Sequence, residues 1–204
     1  APPETAAGAS LAWFNRRGEV ESLVPAPPGN RKDFRLSPDE TRVVFSMISE
    51  TGVADLWMTD LRRASTTRLT FGPHSSQLAI WSPDGKRLAF QSDRGGQWDL
   101  WCRAAGSAGD ETLLFSSPTQ YKRPHAWLPD GSALVFIEIR PDTSMDILSL
   151  SLDGEPEESV YLRSPSSESY PSLSPDGRWL AYSSNENSRF EIYVQSYPVP
   201  GTKY

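Results

Sequence analysis

An all-β chain of stacked, four-stranded antiparallel blades, a β-propeller, is the fold class this 204-residue sequence predicts. Three observations predict it. A turn tetrapeptide returns as Ser37-Pro38-Asp39-Glu40, Ser82-Pro83-Asp84-Gly85, Leu128-Pro129-Asp130-Gly131 and Ser174-Pro175-Asp176-Gly177; prolines at 38, 83, 129 and 175 lie 45, 46 and 46 residues apart. An acidic residue leading into an apolar strand keeps the same period at Asp55, Asp99, Asp146 and Glu191, with spacings of 44, 47 and 45. Each turn is followed by an apolar-rich segment whose aromatic stands six residues beyond the turn aspartate: Phe45, Phe90, Phe136 and Tyr182. A repeat of about 40–45 residues that holds four short strands is the signature of a propeller blade. A two-sheet sandwich is the rival all-β reading, but it does not account for a period held to within a residue.

Each element follows in order. The first strand of a blade ends in a large apolar residue, Leu36, Trp81, Trp127 or Leu173. In the turn, Pro presets φ for the first central position of a type I turn, Asp tolerates the second, and Gly takes the left-handed position that matches the turn to the twist of its strands. Glu40 replaces that Gly and is expected in the left-handed region, at a cost of about 1 kcal/mol. The second strands are 41–46, 86–91, 132–137 and 178–183. Apolar residues on both faces, as in Ala133-Leu134-Val135-Phe136-Ile137, suit a sheet buried between two neighbours. The third strands open at the acidic positions, and weaker fourth strands are expected at 67–71, 111–115 and 159–162.

The ends fall inside blades. Residues 10–24 read as two strands around Asn15-Arg16-Arg17-Gly18, the third and fourth strands of a blade, and the last repeat lacks a fourth strand after Glu191–Ser196. The expected organisation is a linker at 1–9, then a propeller segment at 10–204: a partial blade at 10–30, blades at about 31–72, 73–117 and 118–164, and an incomplete blade at 165–204. About four blades are thus present, as part of a larger propeller; the alternative is that the first hairpin docks on the last repeat and closes a small ring. Open edges and an exposed apolar blade face invite self-association.

Composition narrows the function. Net charge is −6, from 20 basic and 26 acidic residues. An acidic surface disfavours phosphate backbones, so no nucleic-acid partner is expected. No run of about 18 apolar residues exists, so no direct membrane insertion is expected. Cys102 is the sole cysteine, which excludes an intrachain disulfide, and next to Trp101 it reads as a packed thiol. Two histidines and one cysteine are too few for ordinary zinc sites. No Gly-x-Ser-x-Gly elbow, phosphate loop or dinucleotide fingerprint is present. Neither a catalytic constellation nor a cofactor is therefore expected.

The turn, the apolar-aromatic strand after it and the Asp-apolar-Trp lead-in together resemble the TolB-type propeller repeats, a bacterial relative of the WD-repeat family, over residues 10–197. Arg189-Phe190-Glu191-Ile192-Tyr193-Val194-Gln195-Ser196-Tyr197-Pro198 and Gly8-Ala9-Ser10-Leu11-Ala12-Trp13-Phe14-Asn15-Arg16-Arg17-Gly18 resemble the propeller region of bacterial serine/threonine kinases of the eukaryotic type. The same repeat occurs in TolB itself and in the propellers of prolyl-oligopeptidase-like enzymes. The resemblance implies a binding module of a larger, extracytoplasmic bacterial protein, either a sensor or a gate over a peptidase domain.

Regular features read as scaffold. The turn aspartates Asp39, Asp84, Asp130 and Asp176 lie one per blade and cannot converge on one ion. The lead-in acids are equally regular. Candidate contacts to a protein partner or small ligand lie instead where the repeats disagree, just before the first strands at the channel mouth. They are Arg35, Tyr121, Arg123, His125 and Tyr170; the counterparts of His125 are Phe34, Ala79 and Pro171.

Overall fold

The computed structural model describes residues 11–106, 109–119 and 121–204; the expected linker at 1–9 lies outside them. Among these described residues, seventeen strands form five antiparallel sheets, in the strand count the repeat phase implies. A hairpin of β1 (Ala12–Phe14) and β2 (Val20–Leu23) precedes blade I, which comprises β3 (Asn30–Leu36), β4 (Arg42–Ile48), β5 (Ala54–Asp60) and β6 (Ser65–Arg68). Blade II holds β7 (Ser76–Trp81), β8 (Arg87–Ser92), β9 (Asp99–Ala104) and β10 (Glu111–Phe115). Blade III holds β11 (Tyr121–Trp127), β12 (Ala133–Arg140), β13 (Ser144–Ser151) and β14 (Glu157–Leu162). Blade IV holds β15 (Glu168–Leu173), β16 (Trp179–Ser184) and β17 (Glu191–Ser196). Every blade is a meander, and the four stand in a ring with β3, β7, β11 and β15 innermost.

The four turns share one geometry. The backbone N–H of Glu40, Gly85, Gly131 and Gly177 donates to the carbonyl of Ser37, Ser82, Leu128 and Ser174 at 2.8–2.9 Å. The closing residue is left-handed each time, Glu40 included, at φ 56°. The aspartate is engaged within its own turn: Ser37, Ser82 and Ser174 each donate a hydroxyl hydrogen bond of 2.6 Å to it. In the third turn, where Leu128 replaces Ser, Ser132 supplies that bond to Asp130 at 2.6 Å. Hydroxyl donors hold the Asp39 and Asp176 carboxyls down to about 2. The lead-in acids are likewise engaged: Asp55 with Arg68, Asp146 with Arg163, and Glu191 with Arg189.

Three apolar clusters mark the three seams. Val44, Leu56 and Leu69 of blade I meet Trp81, Leu88 and Phe90 of blade II. Ile80, Ala89, Leu100 and Cys102 of blade II meet Trp127, Leu134, Phe136 and Leu148 of blade III. Val135, Ile147 and Tyr161 of blade III meet Leu180, Tyr182 and Tyr197 in the last repeat. Alternation therefore runs along each central strand, but both faces are apolar. Leu88 and Phe90 look back to blade I while Ala89 looks forward; Leu134 and Phe136 look back while Val135 looks forward. In blades II, III and IV the periodic aromatic thus packs into the preceding blade, and Phe90 and Phe136 are fully buried. Burial of such a ring contributes about 2–3 kcal/mol.

Polar staples reinforce the first two seams. Arg42 lies 4.6 Å over the Trp81 ring and donates to the Gly85 carbonyl at 2.8 Å. Arg87 lies 4.8 Å over the Trp127 ring. The Lys122 ammonium, fully buried on β11, donates to Asp99 of β9 at 2.9 Å and to the Ser117 and Thr119 carbonyls at 3.0 and 2.6 Å. Lys122 is therefore a clamp between blades II and III. The third seam has no arginine on tryptophan. Tyr197 and Ser149 share a hydroxyl hydrogen bond of 2.6 Å there, and Tyr161 donates to the Ser196 carbonyl at 2.7 Å. Burial pushes the Tyr161 hydroxyl up to about 12 and raises those of Tyr182 and Tyr197.

At the ends, the Pro25 carbonyl accepts the Thr59 and Thr66 hydroxyls at 3.0 Å, which ties the exit of the β1–β2 hairpin to blade I. Among the described residues no hydrogen bond joins this hairpin to the last repeat. The edge of β17 is not bare as expected. The C-terminal segment runs along it, with Val194 and Tyr204 exchanging backbone hydrogen bonds of 3.1 Å, and the Gln195 amide donates to the Gly201 carbonyl.

Three outcomes test this architecture. Glu40→Gly relieves the left-handed side chain and should raise unfolding stability by about 0.5–1 kcal/mol, read as a higher denaturant midpoint at constant m-value. Lys122→Met strands the buried Asp99 carboxylate and should cost about 3–5 kcal/mol by the same measurement. The raised tyrosine pKa values stabilise fully below the unfolded value of about 10, and the contribution disappears as pH climbs towards 12. Thermal midpoints should therefore hold from pH 7 to about 9 and fall above 10. Tyr161→Phe should shrink that alkaline fall while losing about 1 kcal/mol at neutral pH with its hydrogen bond.

Candidate functional site

The innermost strand of every blade carries a one-residue bulge at the same register. The pairing slips between Lys32 and Arg35, Gln77 and Ile80, Pro124 and Ala126, and Ser169 and Ser172. In three of the four, a non-glycine residue of the bulge is left-handed: Asp33 at φ 58°, Leu78 at 58° and Tyr170 at 53°. Each such residue costs about 1–3 kcal/mol, and strained positions of this kind gather at functional sites. Blade III departs from the pattern, because its corresponding residue is Pro124, whose ring holds φ negative. The bulge there turns on His125 instead. A bulge bends its strand and re-aims side chains, and these four bulges meet around the ring's centre.

Two adjoining cavities lie at that point. The smaller, about 150 Å³, is lined by all four inner strands through Asp33, Arg35, Leu78, Ile80, Arg123, His125 and Tyr170, among others. The larger, about 400 Å³, opens between blades III and IV. Its walls are Ile137, Ile139, Met145 and Phe190, its mouth carries Tyr121 and Tyr170, and Arg123, His125, Ser167, Ser169 and Ser183 supply polar groups. Arg123, His125 and Tyr170 belong to both. The Tyr170 ring stands edge-on to the His125 imidazole at 6.4 Å.

The electrostatics are unbalanced. Burial, with Arg123 and Arg35 nearby, pushes the His125 imidazole down to about 4, so it is neutral at pH 7. Its Nε2 is buried and has no hydrogen-bond partner among the described residues. Arg35 donates only to its neighbour's carbonyl, that of Phe34, at 2.9 Å. Arg123 enters none of the hydrogen bonds and ion pairs among the described residues, while neighbouring Lys122 is consumed by Asp99. Two guanidinium groups without an ion-pair partner among the described residues thus line a recess of an acidic chain, with Asp33 the carboxylate beside them, and low-dielectric walls focus their field.

All five sequence-predicted contacts, Arg35, Tyr121, Arg123, His125 and Tyr170, line these cavities. They sit inside the innermost strands, at the bulges, and not in loops before them, because those strands extend to Asn30, Ser76, Tyr121 and Glu168. Sequence reasoning passed over the apolar wall. The signal was present: Ile137 stands where the other repeats carry Ser46, Gln91 and Ser183, and Ile139 where two of them carry Asp93 and Asn185. Among the described residues, no group of three or more His, Cys, Asp or Glu side chains is arranged to hold a metal. Cys102 is packed in the seam between blades II and III, and burial raises its thiol pKa.

Comparison with known proteins agrees with this architecture. Against an uncharacterized peptidase of Bacillus subtilis, YuxL, the chain is 26% identical in a 192-residue alignment that covers 75% of this chain and 29% of that protein. A solved TolB structure from Agrobacterium tumefaciens superposes with a TM-score of 0.73 at 21% identity, covering 93% of this chain and 67% of the other. A puromycin-hydrolyzing peptidase of Mycobacterium tuberculosis superposes at 0.66 with 18% identity, covering 94% and 36%. The two structural likenesses establish the fold, and the chain spans less than a third of the Bacillus protein's length. The family description "TolB beta propeller domain" matches residues 16–198. The chain belongs to the TolB beta propeller domain family.

Proposed function

We propose that this chain is a non-catalytic binding module and that its ligand or partner enters at the bulged ends of β3, β7, β11 and β15. One observation carries the reading. Beside a cavity of about 400 Å³, the Arg123 side chain makes no hydrogen bond or ion pair and the buried Nε2 of His125 has no hydrogen-bond partner among the described residues. Leaving buried polar groups unsatisfied costs stability, and a bound group that completes them recovers it. Apolar walls with a few convergent polar groups are the ordinary make-up of a ligand pocket, and Tyr and Arg are the side chains most used at binding hot spots.

A second reading, a propeller that gates a fused peptidase domain, is favoured by the peptidases among the relatives. The two are compatible at this site, since a gate must also engage the chain it admits. The kinase-linked sensor role and an extracytoplasmic location rest on the sequence resemblance, and a kinase domain or a hydrolase domain in the parent polypeptide would separate sensor from gate. Self-association is proposed through the outward face of blade IV, where Trp179 and Ile192 are exposed.

Peptide display panned on the immobilised chain tests the site. Enriched binders should be lost on Tyr170→Arg and on Arg35→Glu and be retained on Lys86→Glu, a control at the turn-bearing end. Binders indifferent to both funnel changes and sensitive to the control would overturn the placement. Peptide and glycoside substrates should show no turnover; turnover abolished by His125→Ala would overturn the non-catalytic reading.

A further inference from the structure

We propose that the cavity between blades III and IV is a receptor for a carboxylate carried on an apolar body about the size of one amino-acid side chain. The inference deepens the binding-module reading and rests on it. Three features specify the chemistry. Arg123 is the guanidinium common to both cavities, and it is unpaired among the described residues. A planar guanidinium matches a carboxylate through two parallel hydrogen bonds. A dianionic phosphate fits less well, because the nearest ammonium, Lys122, is committed to Asp99, and Asp33 lines the adjoining cavity. The same cavity is lined by Ile137, the cross-strand neighbour of Arg123, and by Ile139, Met145 and Phe190, which calls for an apolar body. The orphan Nε2 of His125 calls for one polar atom near that body, such as an amide.

The cavity, about 400 Å³, is a small ligand pocket. It accommodates a single acylated amino acid or the last residue of a peptide chain. These two sources share the same chemistry, a free carboxylate beside an apolar side chain, and experiment separates them. The rim does not block the longer source, since Tyr170, at 68% exposure, stands at the mouth and faces solvent.

Titration calorimetry on the intact chain at pH 7 supplies the test. N-acetyl-L-phenylalanine is compared with its amide, and acetyl-Gly-Gly-Phe with its C-terminal amide. The acid should bind about tenfold or more tighter than the amide, because a charge-assisted pair replaces a neutral contact. Arg123→Gln should erase that difference at an unchanged thermal midpoint, and Arg123→Lys should restore part of it. If Arg123→Gln shifts the midpoint, the contrast is read on Arg123→Lys and on His125→Gln, which should weaken both acid and amide. A tripeptide acid that binds at least as tightly as the single residue assigns the site to a peptide C-terminus; binding of the single residue alone assigns it to a small acid. Equal affinity for acid and amide, or an acid preference that survives Arg123→Gln, overturns the proposal. Display binders that still map to the funnel would in that event leave the binding-module reading standing, whereas their loss as well would remove both.

Discussion

Burial on two faces is the constraint on which this molecule depends. A blade of four short strands has apolar residues on both sides, and neither side is stable in water until another blade covers it. The result is visible in single strands: on β8, Leu88 and Phe90 serve one seam and Ala89 the other. This requirement sets the period, since each blade must present the same two surfaces at the same spacing. It also gives the tetrapeptide a second task. A Cβ built on Gly177 would come within 2.9 Å of the Pro129 side chain of the preceding turn, and one on Gly85 would lie 3.3 Å from the Arg42 guanidinium of the preceding blade. The glycine is thus favoured by its left-handed backbone and also, at these turns, by the close approach of the previous blade.

The three seams are not equivalent. The first two add cations to their apolar cores: Arg42 on Trp81, Arg87 on Trp127 and the buried Lys122–Asp99 pair. A buried pair of this kind contributes little net stability, but it fixes register because either partner alone is strongly disfavoured. At the third seam the residue aligned with Arg42 and Arg87 is Ala133, and Leu173 stands where the tryptophans were. Tyrosines take over the packing, each with its hydroxyl bound to a neighbour. This same seam holds the larger cavity at the end where the bulges lie. The seam without arginine staples is thus the one that carries the apolar-walled cavity beside His125.

The fold was legible in the sequence because propeller stacking forces repetition, and repetition can be read without knowing any contact. Strand count, turn geometry and even the left-handed Glu40 followed from spacing and turn chemistry. The bulges were not legible. Asp33, Leu78 and Tyr170 have no composition in common, and their left-handed φ is imposed by the ring's centre, where four strands crowd, and not by local preference. The role of Lys122 was not legible for a related reason: a Lys-Arg pair looks solvated in one dimension, yet alternation along β11 sends one side chain into the seam and leaves the other at the cavity. The site was legible only as disagreement among repeats. That comparison singles out His125 against Phe34, Ala79 and Pro171, and, pursued one strand further, Ile137 against Ser46, Gln91 and Ser183.

Disagreement and strain coincide for a physical reason. A scaffold position is selected to match its neighbours in every blade, and the turn aspartates find their partners within the repeat. A position released from that task can carry a group the fold leaves unsatisfied. The inner bulges supply such positions, because the extra residue has no partner across the sheet and its side chain is free to face the centre. Blade III combines the two departures: Pro124 removes the left-handed geometry, and His125 takes over the bulge with its Nε2 unpartnered. Blade IV supplies the opposite edge with Tyr170. The asymmetry that converts a uniform ring into a site is therefore concentrated in two adjacent strands, β11 and β15, and both border the seam least constrained by charge.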